Sequence, residues 1–474
     1  MNFDHSPIIL WFRRDLRLGD HPALSAAVQS GRPIVPVFVL DHQVQTLGAA
    51  PKWRLGLGLD AFAGRLEQLG SKLILRQGQA LDVLCELVRE TGAGSVFWTR
   101  AYDPEAINRD TQIKAALTEQ GIQAQSFAGQ LLFEPWTIAT KTGQPFRVFT
   151  PMWRSVQGRE VSLPEPAPAR LMTPKTWPAS DQLSDWRLDR VMQRGAAVVR
   201  PFVHPGENAA LDQLDAFLER IDQYREQRDQ LDQSGTSDLS EYLALGEIGP
   251  RTIWHRVQIA DQTGAHGGEG YLRQLVWREF AYHLMYHWPH LLSANWKPEW
   301  DAFPWNTDPD TPEVRAWRQA RTGIPLVDAG LRQMYVTGRM HNRARMIVAS
   351  YLTKHLMTHW KIGADWFGDC LIDWDPAANA MGWQWVAGCG PDAAPYFRIF
   401  NPDTQRERFD PNSGFVRRWI AEGQSEPPSN ALAYFDAVPR SWGLSPDQMY
   451  PAPVVGLKEG RARALGAYNA GKDQ

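Results

Sequence analysis

Short apolar runs alternate with helical patterns through the N-terminal part of the chain. The apolar runs are typical of buried strands and lie at residues 7–12, 34–40, 72–75 and 95–98. The helical patterns lie at residues 21–29, 55–70 and 80–91. Such alternation predicts a parallel sheet covered by helices. The first strand is not followed by Gly-x-Gly-x-x-Gly, so this sequence does not support a dinucleotide-binding interpretation.

The composition changes in the middle of the chain. Residues 164–180, PEPAPARLMTPKTWPAS, are rich in proline, which blocks both helices and strand ladders. We therefore predict a long surface linker over residues 134–203. After His204 the hydrophobic pattern is helical to the end. The chain is thus predicted to contain an α/β domain over residues 1–133, the linker, and an all-helical domain over residues 204–474.

Composition narrows the possible functions without choosing one. With 474 residues, 43% of them hydrophobic and 22% charged, the chain is typical of a globular protein with two or three domains. The net charge of -3 gives no overall basic surface, so nucleic-acid binding would require a local patch. The 21 tryptophans favour a nucleic-acid or redox function, because indoles stack on bases and carry electrons.

The cysteines and the N-terminus indicate the compartment. Cys85, Cys370 and Cys389 are too few and too scattered for a disulfide framework, a zinc site or a four-cysteine iron–sulfur cluster. We therefore expect no metal and a reducing environment. The apolar runs are shorter than a membrane span, and an N-terminus with Asp4 does not resemble a signal peptide. The expected location is the cytoplasm, without membrane binding.

Residues 371–401 concentrate acids, an amide and tryptophans in one apolar segment. Asp375 stands immediately before a proline, which predicts that a helix begins there. Asn379 and Trp383 are four residues apart and share a face of that helix, whereas Trp385 must point elsewhere. Taken alone, the segment would be interpreted as a core helix.

Two other helical patterns place polar residues beside apolar ones. Gln274, Trp277 and Arg278 have the spacing of one helical face, and so do Asn342 and Met346. Each set alone is typical of ordinary packing with solvated polar neighbours.

A third segment, residues 235–243, combines hydroxyls with a predicted helix start. Asp238 and Glu241 have the spacing of a capping box. The hydroxyls of Thr236 and Ser237, together with free backbone N–H groups, could equally bind a phosphate.

Residues 371–401 resemble the flavin-binding signature of the photolyase/cryptochrome family. The residues that match at the family's spacing are Asp373, Asp375, Asn379, Trp383, Trp385 and Arg398. The resemblance extends from Leu10 to about Ala470 and is greatest to class I cyclobutane pyrimidine dimer photolyases. It implies an N-terminal Rossmann-like α/β domain, a large all-α FAD-binding domain and light-driven DNA repair.

The resemblance also implies residue roles. The implied FAD contacts are Tyr224, Thr236, Ser237, Asp238, Leu239, Ser240, Arg345, Asp373, Trp374, Asp375 and Asn379. Arg345 should pair with Asp373, and Asn379 should face flavin N5, where photolyases have Asn and plant cryptochromes have Asp. Asp238 departs from the family, which usually has arginine at this position. A neutral amide at Asn379 suits an anionic reduced flavin.

The implied contacts to DNA or the dimer are Arg228, Gln274, Trp277, Arg278, Asn342, Arg343, Met346, Trp385, Arg398 and Gln405. Trp277 and Trp385 should wall the dimer pocket. Gln274 stands where most dimer-repairing enzymes have glutamate; its amide can still donate a hydrogen bond, so we expect activity to survive. Enzymes that repair (6-4) photoproducts have two adjacent histidines where this chain has His341-Asn342, which favours cyclobutane dimers.

Trp383, Trp360 and Trp305 match the family's electron-transfer chain, which serves photoreduction of the flavin and is dispensable for repair itself. The resemblance therefore implies five catalytic residues: these three tryptophans, Gln274 and Asn379.

The segment Trp11-Phe12-Arg13-Arg14-Asp15-Leu16-Arg17 resembles the opening of the family's N-terminal domain, which in many members holds an antenna chromophore. Folate-binding members have a carboxylate shortly after a tyrosine, and in this chain that position is Ala106, after Tyr102. Folate, a deazaflavin, another flavin or no antenna at all therefore remain as alternatives.

The implied partner is UV-damaged DNA that contains pyrimidine dimers, bound by a monomer associated with the nucleoid. Two alternatives are retained. A blue-light photoreceptor without repair activity is opposed by Asn379 and by the chain's ending at Gln474, and mildly favoured by Gln274. Repair of (6-4) photoproducts is weakened by Asn342.

Overall fold

A computed structural model describes residues 5–393 and 397–471. Its N-terminal part contains a parallel five-stranded sheet in the order β3-β2-β1-β4-β5. The strands are β1 (Ile8–Phe12), β2 (Ile34–Leu40), β3 (Ile74–Gln77), β4 (Ser95–Thr99) and β5 (Gln123–Phe127). The rest of the chain is mostly helical, which confirms the predicted fold class.

The α-helices of the described residues are α1 (Pro22–Gln29), α2 (His42–Gln45), α3 (Ala49–Gln68), α4 (Ala80–Thr91), α5 (Pro104–Glu119), α6 (Phe149–Val156), α7 (Gly195–Val199), α8 (Glu207–Leu218), α9 (Tyr224–Gln227), α10 (Ser240–Leu245), α11 (Pro250–Gln262), α12 (Gly268–His287), α13 (Pro312–Arg318), α14 (Pro325–Thr337), α15 (Asn342–Ser350), α16 (Trp360–Cys370), α17 (Pro376–Ala387), α18 (Pro402–Phe409), α19 (Gly414–Trp419), α20 (Ser429–Ala437) and α21 (Leu457–Ala470). Short 3-10 helices lie at Pro135–Thr137, Leu183–Trp186, Arg190–Met192, Arg200–Phe202, Ile221–Gln223, Pro289–Leu292, Pro298–Ala302 and Arg440–Trp442, and a π-helix lies at Tyr351–His355. Across residues 5–393 and 397–471, none of these helices is long and apolar enough to cross a membrane.

The sheet is buried on both faces because its central strands are continuously apolar. All residues of β1 and β2 are buried. Leu10 and Phe12 pack with apolar residues of α1 and α3, whereas Ile9 and Trp11 pack with those of α4 and α5. Helices on both faces are the expected cover for a parallel sheet.

The two edge strands are where the sequence predictions were wrong. β3 begins two residues later than predicted and ends at the half-exposed Arg76 and exposed Gln77. β5 was not predicted, because its sequence QAQSF has no apolar run. An edge strand is only partly covered, so its hydrophobic signal is weak.

Two helices also differ from prediction. α3 begins at Ala49 rather than at residue 55; a proline in its first turn, which a helix tolerates, obscured the start. α5 was not predicted, although the Asp103 side chain caps it by accepting from the Ala106 N–H and a proline follows at the first helical position. The same signal correctly predicted the start of α17, where the Asp375 carboxylate accepts from the Ala378 N–H at 3.0 Å.

The proline-rich residues 164–180 contain neither helix nor strand, as predicted. They lie against the sheet domain, because the carbonyls of Glu165 and Met172 accept hydrogen bonds from the N–H groups of Asp20 and Ile34. The domain limits at residues 133/134 and 203/204 stay a prediction.

Buried arginines join the sheet domain to the helices. Arg54 of α3 donates two hydrogen bonds to Glu247, which follows α10, and both side chains are fully buried. Arg17 donates to the carbonyl of Gly246 at 3.0 Å. These contacts hold the loop after β1 against the end of α10, and that junction lies beside the candidate site.

Gly363 of α16 provides a test of the packing around Trp383. A Cβ at this position would lie 2.1 Å from Cη2 of Trp383 and 2.7 Å from Cδ2 of Leu352. We expect Gly363→Ala to lower the free energy of unfolding by about 1–3 kcal/mol, because overpacking a closed core forces side chains to shift. The measurement is a urea titration.

The control is Gly466→Ala in α21, where a Cβ would contact nothing within 4 Å. This variant should be neutral or slightly stabilised, because alanine is the better helix former. Equal midpoints for Gly363→Ala and the unmodified protein would contradict the packing argument.

Candidate functional site

A cavity of about 580 Å³ lies within the helical part. All eleven residues predicted to contact FAD line it, and so do five of the predicted DNA or dimer contacts and Trp383. The eleven are Tyr224, Thr236, Ser237, Asp238, Leu239, Ser240, Arg345, Asp373, Trp374, Asp375 and Asn379, and the five are Arg228, Gln274, Arg278, Asn342 and Met346. Folding therefore brings residues from α9, α10, α12, α15 and α17 to one space.

Asp373 is held at the cavity wall by a cation and a hydroxyl. Nη2 of Arg345 donates to its two carboxylate oxygens at 3.0 and 2.8 Å, which confirms the predicted pair. The hydroxyl of Ser240 donates to Oδ2 at 2.6 Å. Since its charge is matched by Arg345, Asp373 can accept hydrogen bonds from a ligand without leaving an unpaired charge.

The predicted capping box at Asp238 and Glu241 does not form. α10 begins at Ser240, after Leu239, and the Asp238 carboxylate instead accepts from the Thr236 hydroxyl at 2.9 Å. Asp238 adopts a φ of 54°, outside the usual region for an L-residue. This turn folds the hydroxyl-rich segment back on itself along the cavity.

Asp375 also lines the cavity, and it has more partners than a capping residue needs. Besides the Ala378 N–H, Oδ2 accepts from the Tyr282 hydroxyl and, at 3.0 Å, from Nη2 of Arg14. Burial acts to raise the pKa of Asp375, but the nearby Arg14 and Arg278 outweigh it and lower the pKa below its usual range. Asp375 is therefore a carboxylate at neutral pH.

Asn379 sits one turn further along α17. Its amide nitrogen donates to the carbonyl of Ala364 in α16 at 3.0 Å. The bond fixes the orientation of a neutral group, which adds no charge to the cavity and has no readily transferred proton.

His341, which sequence analysis used only in comparing substrates, also lines the cavity. Burial lowers the pKa of His341 to about 4, so the ring is neutral at pH 7. Its Nδ1 accepts from the Arg343 N–H, so the proton lies on Nε2. Within the described residues Nε2 has no hydrogen-bond partner, which leaves one buried donor for a ligand. In the sequence, the signal for His341 was its position immediately before Asn342.

Arg278 of α12 contacts the segment that follows β5. It donates to the carbonyl of Gln130 at 3.0 Å and lies over the ring of Tyr282. Its neighbour Glu279 is almost fully buried and accepts from the N–H groups of Leu132 and Phe133. Burial raises the pKa of Glu279 to about 7.

Trp277 and Trp385, the predicted walls of the dimer pocket, lie outside the lining formed by the described residues. Trp277 stacks on Phe149 of α6 with ring centroids 3.7 Å apart. Nε1 of Trp385 donates to the carbonyl of Asp392 at 3.0 Å. Residues 394–396, which belong to the signature segment, lie outside the described residues. The role of these two tryptophans stays a prediction.

The three tryptophans of the predicted electron chain lie in the helical part, with Trp383 in α17, Trp360 in α16 and Trp305 before α13. Trp383 lines the cavity and packs over Gly363 of α16, and Trp360 lies one turn earlier in that helix. The imidazole of His359 lies between Trp360 and the half-buried Trp305, with ring centroids 5.6 and 5.5 Å away. His359 is therefore an intermediate ring that sequence analysis did not identify.

The remaining predicted DNA contacts, Arg343, Arg398 and Gln405, line a groove of about 560 Å³ beside the cavity. Two exposed arginines, Arg408 of α18 and Arg461 of α21, line it as well. Neither was predicted from the sequence, because neither belongs to a recognisable motif. Four guanidinium groups around one groove are suited to phosphate.

A second cavity, of about 840 Å³, lies where the sheet meets the helices. Its walls include residues that follow the carboxyl ends of β1, β2 and β4, such as Arg14, Asp41 and Asp103. In open parallel sheets this edge is the usual place for a ligand. Asn379 and Trp374 line both cavities, so the two spaces share a wall.

Comparison with known proteins gives concordant matches. Residues 8–171 match the family model described as DNA photolyase, and residues 271–470 match the FAD binding domain of DNA photolyase. The deoxyribodipyrimidine photo-lyase of Agrobacterium fabrum (strain C58) is 42% identical over 100% of this chain and 99% of its own length.

Solved structures agree with these matches. A bacterial class III photolyase from Agrobacterium tumefaciens has a TM-score of 0.91 at 42% identity, over 99% of this chain and 98% of that chain. An archaeal photolyase from Sulfolobus tokodaii with two FAD molecules has a TM-score of 0.80 at 27% identity, over 98% of this chain and 100% of that chain. The class III relative leaves the expected likeness to class I without support.

Glu279 predicts a pH dependence of stability. Its pKa in the folded protein, about 7, lies above its ordinary value of 4.5, so it stabilises the fold fully at low pH and this contribution is lost as pH rises through 7. Between pH 5 and 7 the unmodified protein should lose about 2 kcal/mol of unfolding free energy relative to Glu279→Gln. Glutamine keeps a neutral acceptor for the Leu132 and Phe133 N–H groups.

The measurement is urea denaturation of both proteins at pH 5, 6 and 7. Taking the difference removes the contributions of other titrating groups. Parallel stability curves across this range would show that Glu279 does not bind an extra proton in the folded state.

Proposed function

The chain belongs to the photolyase/cryptochrome family, and we propose that it splits cyclobutane pyrimidine dimers in UV-damaged DNA under light. In enzymatic terms it is a deoxyribodipyrimidine photo-lyase, a carbon–carbon lyase. The observation that carries the proposal is the cavity, because all the residues predicted to contact FAD and three of the predicted dimer contacts line the same space.

FAD fits this cavity through the chemistry of its donors and acceptors. The hydroxyls of Thr236 and Ser237 suit the phosphate side, whereas Asp373 and Asp375 are ionised or charge-matched acceptors suited to ring and ribose N–H or O–H groups. The chemistry that FAD supplies when bound is light-driven transfer of one electron to the dimer and its return after the ring has opened.

Residues of the cavity are suited to the reduced state of a bound flavin. Asn379 is neutral and tied to Ala364, so it neither protonates a reduced flavin nor adds negative charge beside it. The charges of Asp373 and Asp375 are balanced by Arg345 and Arg14. With their charges balanced, these two carboxylates do not disfavour an anionic reduced ring.

The dimer would enter beside the flavin, where Gln274, Asn342 and Met346 line the same cavity. The two amides can donate to the carbonyls of the bases, and the flexible methionine adapts to their apolar faces. Gln274 cannot titrate, so it positions the dimer without supplying a proton.

DNA would be held by the groove beside the cavity. Arg343, Arg398, Arg408 and Arg461 can neutralise backbone phosphates, which gives salt-dependent binding with little sequence preference. Selection of the lesion then comes from flipping, because a damaged pair is cheap to unstack.

Several finer assignments are part of the proposal. We propose class III, given 42% identity and a TM-score of 0.91 to a class III photolyase. We also propose that the domain limits are 133/134 and 203/204, and that the protein acts as a monomer on chromosomal DNA in the cytoplasm.

The second cavity is the proposed antenna site. It lies at the carboxyl edge of the sheet and shares a wall with the flavin cavity, an arrangement suited to transfer of excitation energy. The Sulfolobus tokodaii photolyase is described with two FAD molecules, with the implication of a novel light-harvesting cofactor. In this chain Ala106 lines the cavity in place of the carboxylate typical of folate binding, so a flavin or deazaflavin is the better candidate.

A repair assay tests the proposed reaction. Photoreduced protein with UV-irradiated oligo(dT) should restore thymine absorbance under blue light and not in the dark. Gln274→Glu should retain repair and raise its quantum yield, because a carboxyl group at this position can also exchange a proton with the dimer. The controls are the dark sample and undamaged oligo(dT).

Failure of repair by protein that holds reduced FAD would reject this substrate. Recovery on DNA with (6-4) photoproducts instead would identify that lesion as the substrate. Failure on both would favour the photoreceptor alternative.

The arginine groove predicts how binding depends on salt. Arg408→Ala and Arg461→Ala should each weaken binding to UV-damaged duplex DNA and reduce the slope of log K against log salt by about 0.9 per lost phosphate contact. The rate of repair at saturating DNA should be unchanged. Fluorescence anisotropy at about 50 to 200 mM salt measures the affinity for DNA and its salt slope.

The matched control is Arg89→Ala, which removes an exposed arginine at the end of α4 in the sheet domain. Its slope should equal that of the unmodified protein. If all three variants share one slope, the groove does not contact phosphate.

A further inference from the structure

We propose that Arg14, a residue of the sheet domain, is a positioning residue for Asp375 and through it favours the reduced state of the bound flavin. The inference rests on the proposed function, because it takes the cavity beside Asp375 as the flavin site. It adds a residue that lies 361 positions away from its partner and outside the flavin-binding signature.

The geometry of Arg14 fixes it in one orientation. Nε donates to the carbonyl of Ala244 at the end of α10 at 2.7 Å, and Nη2 donates to Oδ2 of Asp375 at 3.0 Å. The guanidinium thus bridges a backbone carbonyl of one helix and the capping carboxylate of another. A planar fork with two bound edges holds its partner more rigidly than a lysine would.

Arg14 also occupies a distinctive place between the two cavities. Its side chain is 33% exposed, and it lines the second cavity, whereas Asp375 is only 11% exposed and lines the first. The ion pair therefore crosses the shared wall. Neighbouring Arg13 lines the same cavity, but it binds Asp110 and the carbonyl of Thr99.

The charges around Asp375 indicate what the pair does. Its other neighbours are the Tyr282 hydroxyl, which is a neutral donor, the Ala378 N–H, and Arg278, which is bound to Gln130 and Glu279. Arg14 is therefore the cation in direct contact with this carboxylate among the described residues. Without it, a buried carboxylate would face the cavity with its charge incompletely balanced.

An unbalanced carboxylate acts selectively on the reduced flavin. Reduction adds negative charge to the ring, and a like charge nearby in a low-dielectric site disfavours that state. Arg14 holds Asp375 in place and balances its charge, so the reduced state is not penalised. Its removal should make the flavin harder to reduce without removing a contact to the flavin itself.

The test is the midpoint potential of bound FAD, measured by spectroelectrochemistry on the full-length holoprotein. Arg14→Gln should raise the ratio of oxidised to reduced flavin at least tenfold at a fixed potential, which is a shift of about -30 mV for a two-electron couple. Arg13→Gln, which changes the adjacent arginine, should leave the potential unchanged. The potential of Arg14→Lys should lie between those of Arg14→Gln and the unmodified protein.

A second comparison separates positioning from direct charge. In an Asp375→Asn background, Arg14→Gln should shift the potential much less, because no carboxylate is left to position. An equal shift in both backgrounds would overturn the positioning role, and an unchanged potential in Arg14→Gln would overturn the proposal entirely. If Arg14→Gln fails to fold, the Arg14→Lys variant is used in its place. A potential equal to that of the unmodified protein would then contradict a positioning role of the Arg14 guanidinium.

The outcomes are distinguishable from failure of the proposed function. An unmodified protein that does not bind FAD or repair dimers would refute the function. An unmodified protein that does both, with a potential insensitive to Arg14, would refute only this inference.

Discussion

The carboxylate of Asp375 is the contact on which the arrangement of the site depends. It caps α17, accepts from Tyr282 of α12 and pairs with Arg14 of the sheet domain. One side chain therefore sets where the flavin-signature helix begins, how it lies against α12 and how the two domains meet. Removing its charge from water is costly, and the three donors together offset that cost.

Two other ion pairs near the site also fix the positions of its walls. Arg54 and Glu247 are both fully buried and connect α3 to the segment after α10, and Arg345 pairs with Asp373 in the cavity wall. Pairs of this kind contribute less to net stability than to geometry, because desolvation cancels much of their attraction. Here they fix walls that an apolar core would leave free to repack.

The two cavities differ in their chemical environment and in the part of the chain that lines them. The helical part brings together a neutral amide, charge-matched acids and a row of aromatic rings, an environment suited to an electron donor. The sheet domain offers a large space at its carboxyl edge, and Asn379 and Trp374 belong to both walls. The arginine groove, the proposed DNA contact, is lined by residues of the same helical part.

Local signals in the sequence determined the central strands and the start of α17. A buried strand needs only a continuous apolar run, and a cap needs only an acid and a proline beside the first turn. The residues predicted to contact the cofactor came from their resemblance to a family signature. Tertiary structure alone decided the edge strand β5, the limits of β3, the Arg14–Asp375 pair and the groove formed with Arg408 and Arg461. These features depend on which distant segments meet, and no periodicity or spacing within one segment records that.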